Sequence, residues 1–82
     1  MPEEIENFNF KFYNIEKTTP VAAYVFDING FPVKKIEKLI DSENPVVNWN
    51  GYMDNGMKAR EGVYIIKGFV ENNLFDAKII IE

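Results

Sequence analysis

The chain contains no cysteine and no histidine. Without cysteine there are no disulfides, no thiolate nucleophile and no zinc site built on Cys ligands. Without histidine the commonest general base and metal ligand is missing, and with it every Ser-His or Cys-His arrangement. Positive charge is also scarce: nine Lys and Arg face thirteen Asp and Glu, for a net charge of −4. That balance argues against nucleic acid and against anionic membrane surfaces, which need a basic face to displace counterions. No apolar run approaches the ~20 residues of a membrane span, so membrane insertion is not expected. The start, Met1-Pro2-Glu3-Glu4, is acidic and lacks the basic n-region of a signal peptide. The lack of cysteine does not fix the compartment.

What remains is apolar and aromatic. The chain has 82 residues, of which 46% are hydrophobic, and includes seven Phe, four Tyr and one Trp. This is one domain with a thin core, in which each aromatic ring buries a large share of the apolar area. Residues 1–6 are polar and acidic and read as a flexible arm or linker, leaving 7–82 as a single domain.

The hydrophobic spacing is that of strands. Phe8, Phe10 and Phe12 alternate with Asn9 and Lys11, a half-buried strand. Thr18-Thr19-Pro20 punctuates it. Over residues 21–27, Val21, Ala23 and Val25 share one face while Ala22, Tyr24 and Phe26 share the other, so this strand is expected to be central. Asn29-Gly30 is read as a two-residue type I′ hairpin turn. It leads into a strand from Phe31 to Leu39, with a bulge or bend near Lys34–Ile36 where the alternation breaks. Val33, Ile36, Leu39 and Ile40 also fit helical spacing, but the run is short and lacks an N-cap. Further strands are expected at Val46–Trp49, Val63–Val70 and Leu74–Ile81, with Glu71-Asn72-Asn73 as a hairpin turn. No segment demands a helix longer than a turn or two. The pattern is all-β: an immunoglobulin-like antiparallel β-sandwich of about seven short strands.

Candidates for chemistry are few. Asp27, Asp41, Asp54 and Glu61 fall in loops, but no cleft-sized insertion separates a pair of them for glycoside hydrolysis. Asp27 and Asp54 lie just before Asn-Gly steps, where Asx side chains cap turns. Met53-Asp54-Asn55-Gly56 supplies too few oxygens at the wrong spacing for a calcium loop. Trp49 and Tyr52, with Tyr64 and Phe31, would suit a sugar-stacking platform, although a lone Trp in a small sandwich is more often its core plug. Gly30, Gly51, Gly56 and Gly62 fall in turns, and none opens a helix as a phosphate loop would. Gly68 lies inside a strand and suggests a bulge or a close backbone approach. No enzyme activity, cofactor or metal is expected.

The segments Val25-Phe26-Asp27-Ile28-Asn29-Gly30-Phe31-Pro32-Val33, Asn48-Trp49-Asn50-Gly51, Asp54-Asn55-Gly56 and Gly62-Val63-Tyr64 occur in this order. Together they resemble the FlgD-type immunoglobulin-like domain, which carries a D-x-x-G-x-x-V hairpin, a W-D-G loop, a D-x-x-G step and a G-x-Y strand start. The resemblance covers residues 21–81. Two departures are Asn50 where the family has Asp, and Asn55-Gly56 directly after Asp54. The resemblance implies a seven-stranded, non-catalytic sandwich that serves as a scaffold or accessory domain in bacterial secreted or surface proteins. The structural motif residues are then Asp27, Gly30, Trp49, Gly51, Gly56, Gly62 and Tyr64. Residues 62–65 and 78–81 are also similar to C-terminal sorting domains of type IX secretion cargo, of which the Trp49 loop is not typical.

The expected role is therefore packing against, spacing or anchoring a neighbouring domain of the same chain or of another protein. Sorting or carbohydrate binding are the alternatives. A secreted or cell-surface location within a longer precursor is expected, with a cytoplasmic one left open. The Phe8, Phe10, Phe12 strand is the candidate interaction edge, for a docked neighbour or a weak homodimer.

Overall fold

The computed structural model describes residues 7–82, so the expected N-terminal arm lies outside the described residues. Six strands follow one another: β1 (Phe8–Lys11), β2 (Thr19–Phe26), β3 (Pro32–Ile40), β4 (Val46–Trp49), β5 (Gly62–Val70) and β6 (Asn73–Ile81). They form two antiparallel sheets, one of four strands in the order β3-β2-β5-β6 and one of two strands, β1-β4. This is the all-β sandwich that the alternation implies, with six strands among the described residues rather than seven. No helix occurs among them, and the run 33–40 that also suited a helix lies wholly within β3.

The core is what the two sheets enclose. Val21, Ala23 and Val25 of β2, Ile36 and Ile40 of β3, Val47 and Trp49 of β4, Tyr64 and Ile66 of β5, and Ile79 and Ile81 of β6 are all buried. Each set steps by two, or in β3 by four, as strands with one inward face require. Trp49 is the largest fully buried side chain, 1% exposed. Its indole N–H donates to the Tyr52 carbonyl at 2.8 Å, so the one polar atom of the ring is satisfied. Phe8 and Tyr64 both pack against it, with ring centroids 5.7 and 5.8 Å away. Tyr64, near the start of β5, donates its hydroxyl to the Arg60 carbonyl at 2.8 Å. A tyrosine bonded to backbone a few residues upstream, at the corner where the chain enters a strand, is the tyrosine corner of immunoglobulin-like sandwiches.

Three local expectations are corrected. First, strands β2 and β3 pair as adjacent antiparallel neighbours, but their turn is not type I′. The N–H of Asp27 donates to the Phe31 carbonyl and that of Gly30 to the Asp27 carbonyl. Only Gly30 has positive φ, +86°. This is a three-residue loop with one left-handed residue, and the Asp27 carboxylate closes it by accepting from the N–H groups of Asn29 and Phe31. Second, the register shift falls between Val25 and Phe26, opposite Val33, one residue before the stretch where a bulge is expected. The inward set of β3 is thereby reset to Lys34, Ile36, Lys38 and Ile40. Third, Thr19-Pro20 opens β2 instead of ending the preceding segment. Pro20 is tolerated because the ladder with β5 begins only at Val21. At the far end, β5 and β6 are joined by two residues, Glu71-Asn72, since Val70 already pairs with Asn73.

Candidate functional site

The seven motif residues gather towards one end of the sandwich, where they build loops and core. Trp49 and Tyr64 are brought together by ring contact. Gly51 has φ +83°, and its carbonyl accepts from the Ala59 N–H, which closes the loop beneath the indole. Gly56 repeats the geometry of Gly30: the N–H of Met53 donates to the Met57 carbonyl, that of Gly56 to the Met53 carbonyl, and φ is +86°. Gly62 has φ +147° at the first residue of β5.

Asp54 does not cap its own turn, as its position suggests; Asn55 does, accepting from the Met57 N–H. The Asp54 carboxylate instead accepts from the backbone N–H of Lys35 at 2.9 Å and pairs with the Lys34 ammonium at 3.1 Å. The N–H of Asp54 donates to the Val33 carbonyl. The 53–57 loop thus occupies the outer edge of β3. The Lys35 N–H bond, and then the Lys34 ammonium, hold the Asp54 carboxyl below its ordinary pKa of 3.8. The two Asn-Gly carboxylates are spent on different structural bonds, Asp27 on its turn and Asp54 on β3. Among the described residues no group of three or more acidic side chains lies close enough to hold a metal ion.

An aromatic platform around Trp49 is not available, since that ring is enclosed. The exposed aromatic and aliphatic surface lies elsewhere, on the outer face of the four-stranded sheet. β2 turns Ala22, Tyr24 and Phe26 outward, β5 turns Ile65, Lys67 and Phe69, and β6 turns Leu74, Asp76, Lys78 and Ile80. Cross-strand register sets Leu74, Phe69 and Ala22 in one row, and Asp76, Lys67, Tyr24 and Lys35 in the next. Phe69 is 52% exposed, Leu74 74% and Tyr24 42%. Two shallow depressions on this face, of about 310 and 260 Å³, share Phe26 and Lys67 in their walls. The apolar outer side of β2 was visible in the alternation; that nothing among the described residues covers it was not.

The Phe8, Phe10, Phe12 strand sits at an edge. β1 pairs with β4 on one side, from Phe8 opposite Trp49 to Lys11 opposite Val46, and with no strand on its other side among the described residues. The three Phe side chains turn inward and are half-buried against the core.

No protein-family model, curated protein or solved structure matches the chain.

Proposed function

We propose that this chain is a non-catalytic accessory domain of the FlgD-type immunoglobulin-like kind, from a bacterial secreted or surface protein. It packs against a neighbouring protein domain through the outer face of its four-stranded sheet. The observation that carries this reading is the exposed pair Leu74 and Phe69 beside Tyr24, with Ile65 and Ile80 further along the same face, beyond the Lys67–Asp76 row.

The size and make-up of the face fit a domain neighbour. These five side chains together expose on the order of 500 Å² of surface, divided by the Lys67–Asp76 row into two smaller apolar areas. Interfaces between domains bury roughly 600–1,500 Å² in total and are more polar than permanent subunit contacts. Lys35, Lys67 and Asp76 supply that polar share across the middle row. The absence of His and Cys, and the commitment of Asp27 and Asp54 to structural bonds, both favour a binding role over a catalytic one.

A photo-crosslinking residue at position 69, in the chain as it occurs in its parent polypeptide, tests the reading. The expected product joins position 69 to one mapped surface of one adjacent domain, and Leu74→Ser lowers its yield several-fold. Equal yields from position 69 and from the exposed Tyr13 position, or a yield that Leu74→Ser leaves unchanged, overturn it.

A further inference from the structure

The two sheets are unequal. The four-stranded sheet is about two strand spacings, roughly 10 Å, wider than β1-β4. The smaller sheet is drawn to the β3 side, where the Lys38 ammonium donates to the Val46 carbonyl at 2.8 Å. The excess width therefore lies on the β6 side. The Phe12 ring reaches out over it, meeting Phe75 edge-on at 5.0 Å. Phe75 and Ala77 turn inward from β6 and are only half-buried, while Ile79 and Ile81 on the same face are buried. Beside β1 there is thus a ledge with an apolar floor, Phe75 and Ala77, and an apolar wall, the half-buried flank of Phe10 and Phe12.

The upper rim of this ledge carries backbone hydrogen-bonding groups. The Phe12 N–H donates to the Pro45 carbonyl, in line with the β1–β4 register. In an antiparallel ladder, inward-bonded residues alternate with outward-bonded ones. Phe8, Phe10 and Phe12 therefore bond towards β4, and Asn9 and Lys11 direct their N–H and C=O groups at the ledge. The edges of the other short strand and of β3 are engaged: Lys38 takes the Val46 carbonyl on β4, and Asp54 takes Val33 and Lys35 on β3.

We infer that this ledge accepts a single extended strand of a partner polypeptide, paired antiparallel to β1, with bulky apolar side chains at every second position. Asn9 and Lys11 supply the main-chain bonds, and Phe10, Phe12, Phe75 and Ala77 receive the alternate side chains. A lone strand fits the width, one strand spacing beside β1 with β6 beneath it. A second copy of this domain fits poorly, because an edge-to-edge β1 pair would drive the projecting β6 of each copy into the other. The inference concerns a different surface from the outer face and stands independently of it.

Amide hydrogen exchange on the 82-residue chain tests this, with the synthetic peptide acetyl-Thr-Val-Thr-Phe-Thr-Val-Thr-amide as probe. In the free chain Asn9 and Lys11 should exchange fast and Phe10 slowly; saturating peptide should slow Asn9 and Lys11 about tenfold or more. Lys11→Pro removes one outward N–H at an edge position that tolerates proline, and should abolish the effect with Trp49 fluorescence unchanged. If that variant does not fold, the same peptide N-methylated at the two threonines flanking phenylalanine replaces it and should not protect. Slow exchange of Asn9 and Lys11 without peptide that is lost on deleting residues 1–6 would overturn the inference in favour of the chain's own arm. Protection that rises with protein concentration alone would overturn it in favour of a second copy. Protection by the N-methylated peptide, or none by the parent peptide, would also overturn it.

Discussion

Gly68 is the position where one added carbon should do most damage. It lies on the inward face of β5, opposite Ala23 of β2, at the centre of the four-stranded sheet. A Cβ built there runs into the Ala22 carbonyl oxygen and comes within 2.7 Å of both the Cα and Cβ of Ala23. Ordinary contacts between such atoms are about 3.5–4.0 Å, so β2 and β5 would have to part by roughly 1 Å along their shared ladder. Over-packing of this kind costs about 1–3 kcal/mol. Replacing Gly by Ala also restricts the unfolded chain, which returns about 0.4–1 kcal/mol. The net expectation for Gly68→Ala is a loss of about 1.3 kcal/mol, or roughly 5–10 °C in Tm for a domain of this size. Thermal unfolding followed by far-UV circular dichroism, with urea midpoints as a check, measures it.

A partial-rescue variant sharpens the test. Ala23→Gly removes the opposing methyl but leaves the Ala22 carbonyl in place, so it should recover less than half of the loss. Full rescue would show that the conflict lies between side chains, and the backbone account would be wrong. A Gly68→Ala protein that melts within 2 °C of the parent, or above it, would refute the close-approach argument altogether.

Trp49→Ala should cost about 3–5 kcal/mol, because the indole is enclosed and its ring neighbours cannot collapse into the space; an unchanged Tm with lost sugar binding would instead identify a ligand platform. Gly30→Val should destabilise more than Gly30→Ala, since a β-branched residue at φ +86° is strained further; equal urea midpoints would count against that turn geometry. Glu71 holds φ +57° at the first residue of a two-residue hairpin loop, so Glu71→Gly should raise stability by about 0.5–1 kcal/mol, and a fall in Tm would show the strain to be absent. Asp54 has its pKa lowered in the folded state, so its contribution is present above the ordinary value of 3.8 and is lost as the pH falls through the lower folded value. The stability difference between parent and Asp54→Asn should therefore be constant near neutral pH and close in the acid range; a difference that persists at the lowest pH at which both fold would contradict this.

The strands were legible because each announces its face by period two. Val21, Ala23 and Val25 point inward for the reason that makes them read as one side of a strand, and the same holds for Phe8, Phe10 and Phe12. The turns were legible as places and less so as geometries. Asn29-Gly30 signals a tight turn, but Asp27 decides its type by taking the Asn29 and Phe31 N–H groups, which adds a third loop residue. Asp54 looks like the same device in sequence, yet its neighbour Asn55 caps the turn and frees it to reach β3 across 19 residues. Nothing in a local pattern distinguishes the two carboxylates, because the partner that matters to Asp54 is remote in the chain.

The same limit explains the outer face. Alternation tells which residues share a side of a strand; it does not tell what lies over that side. On β2 both sides are apolar, and the economical reading is a strand buried on both faces. Two sheets stacked on each other have four faces, and only the two that meet are covered. The sequence loads apolar side chains onto a third, through Tyr24 and Phe26, Ile65 and Phe69, and Leu74 and Ile80. A mixed antiparallel face left to water would be expected to carry polar side chains at these positions. Phe and Leu beside Lys67 and Asp76 are what the proposed docking of a neighbouring domain requires of this face. The interspersed charges would limit how permanent such a proposed contact is, because burying Lys67 and Asp76 carries a desolvation cost.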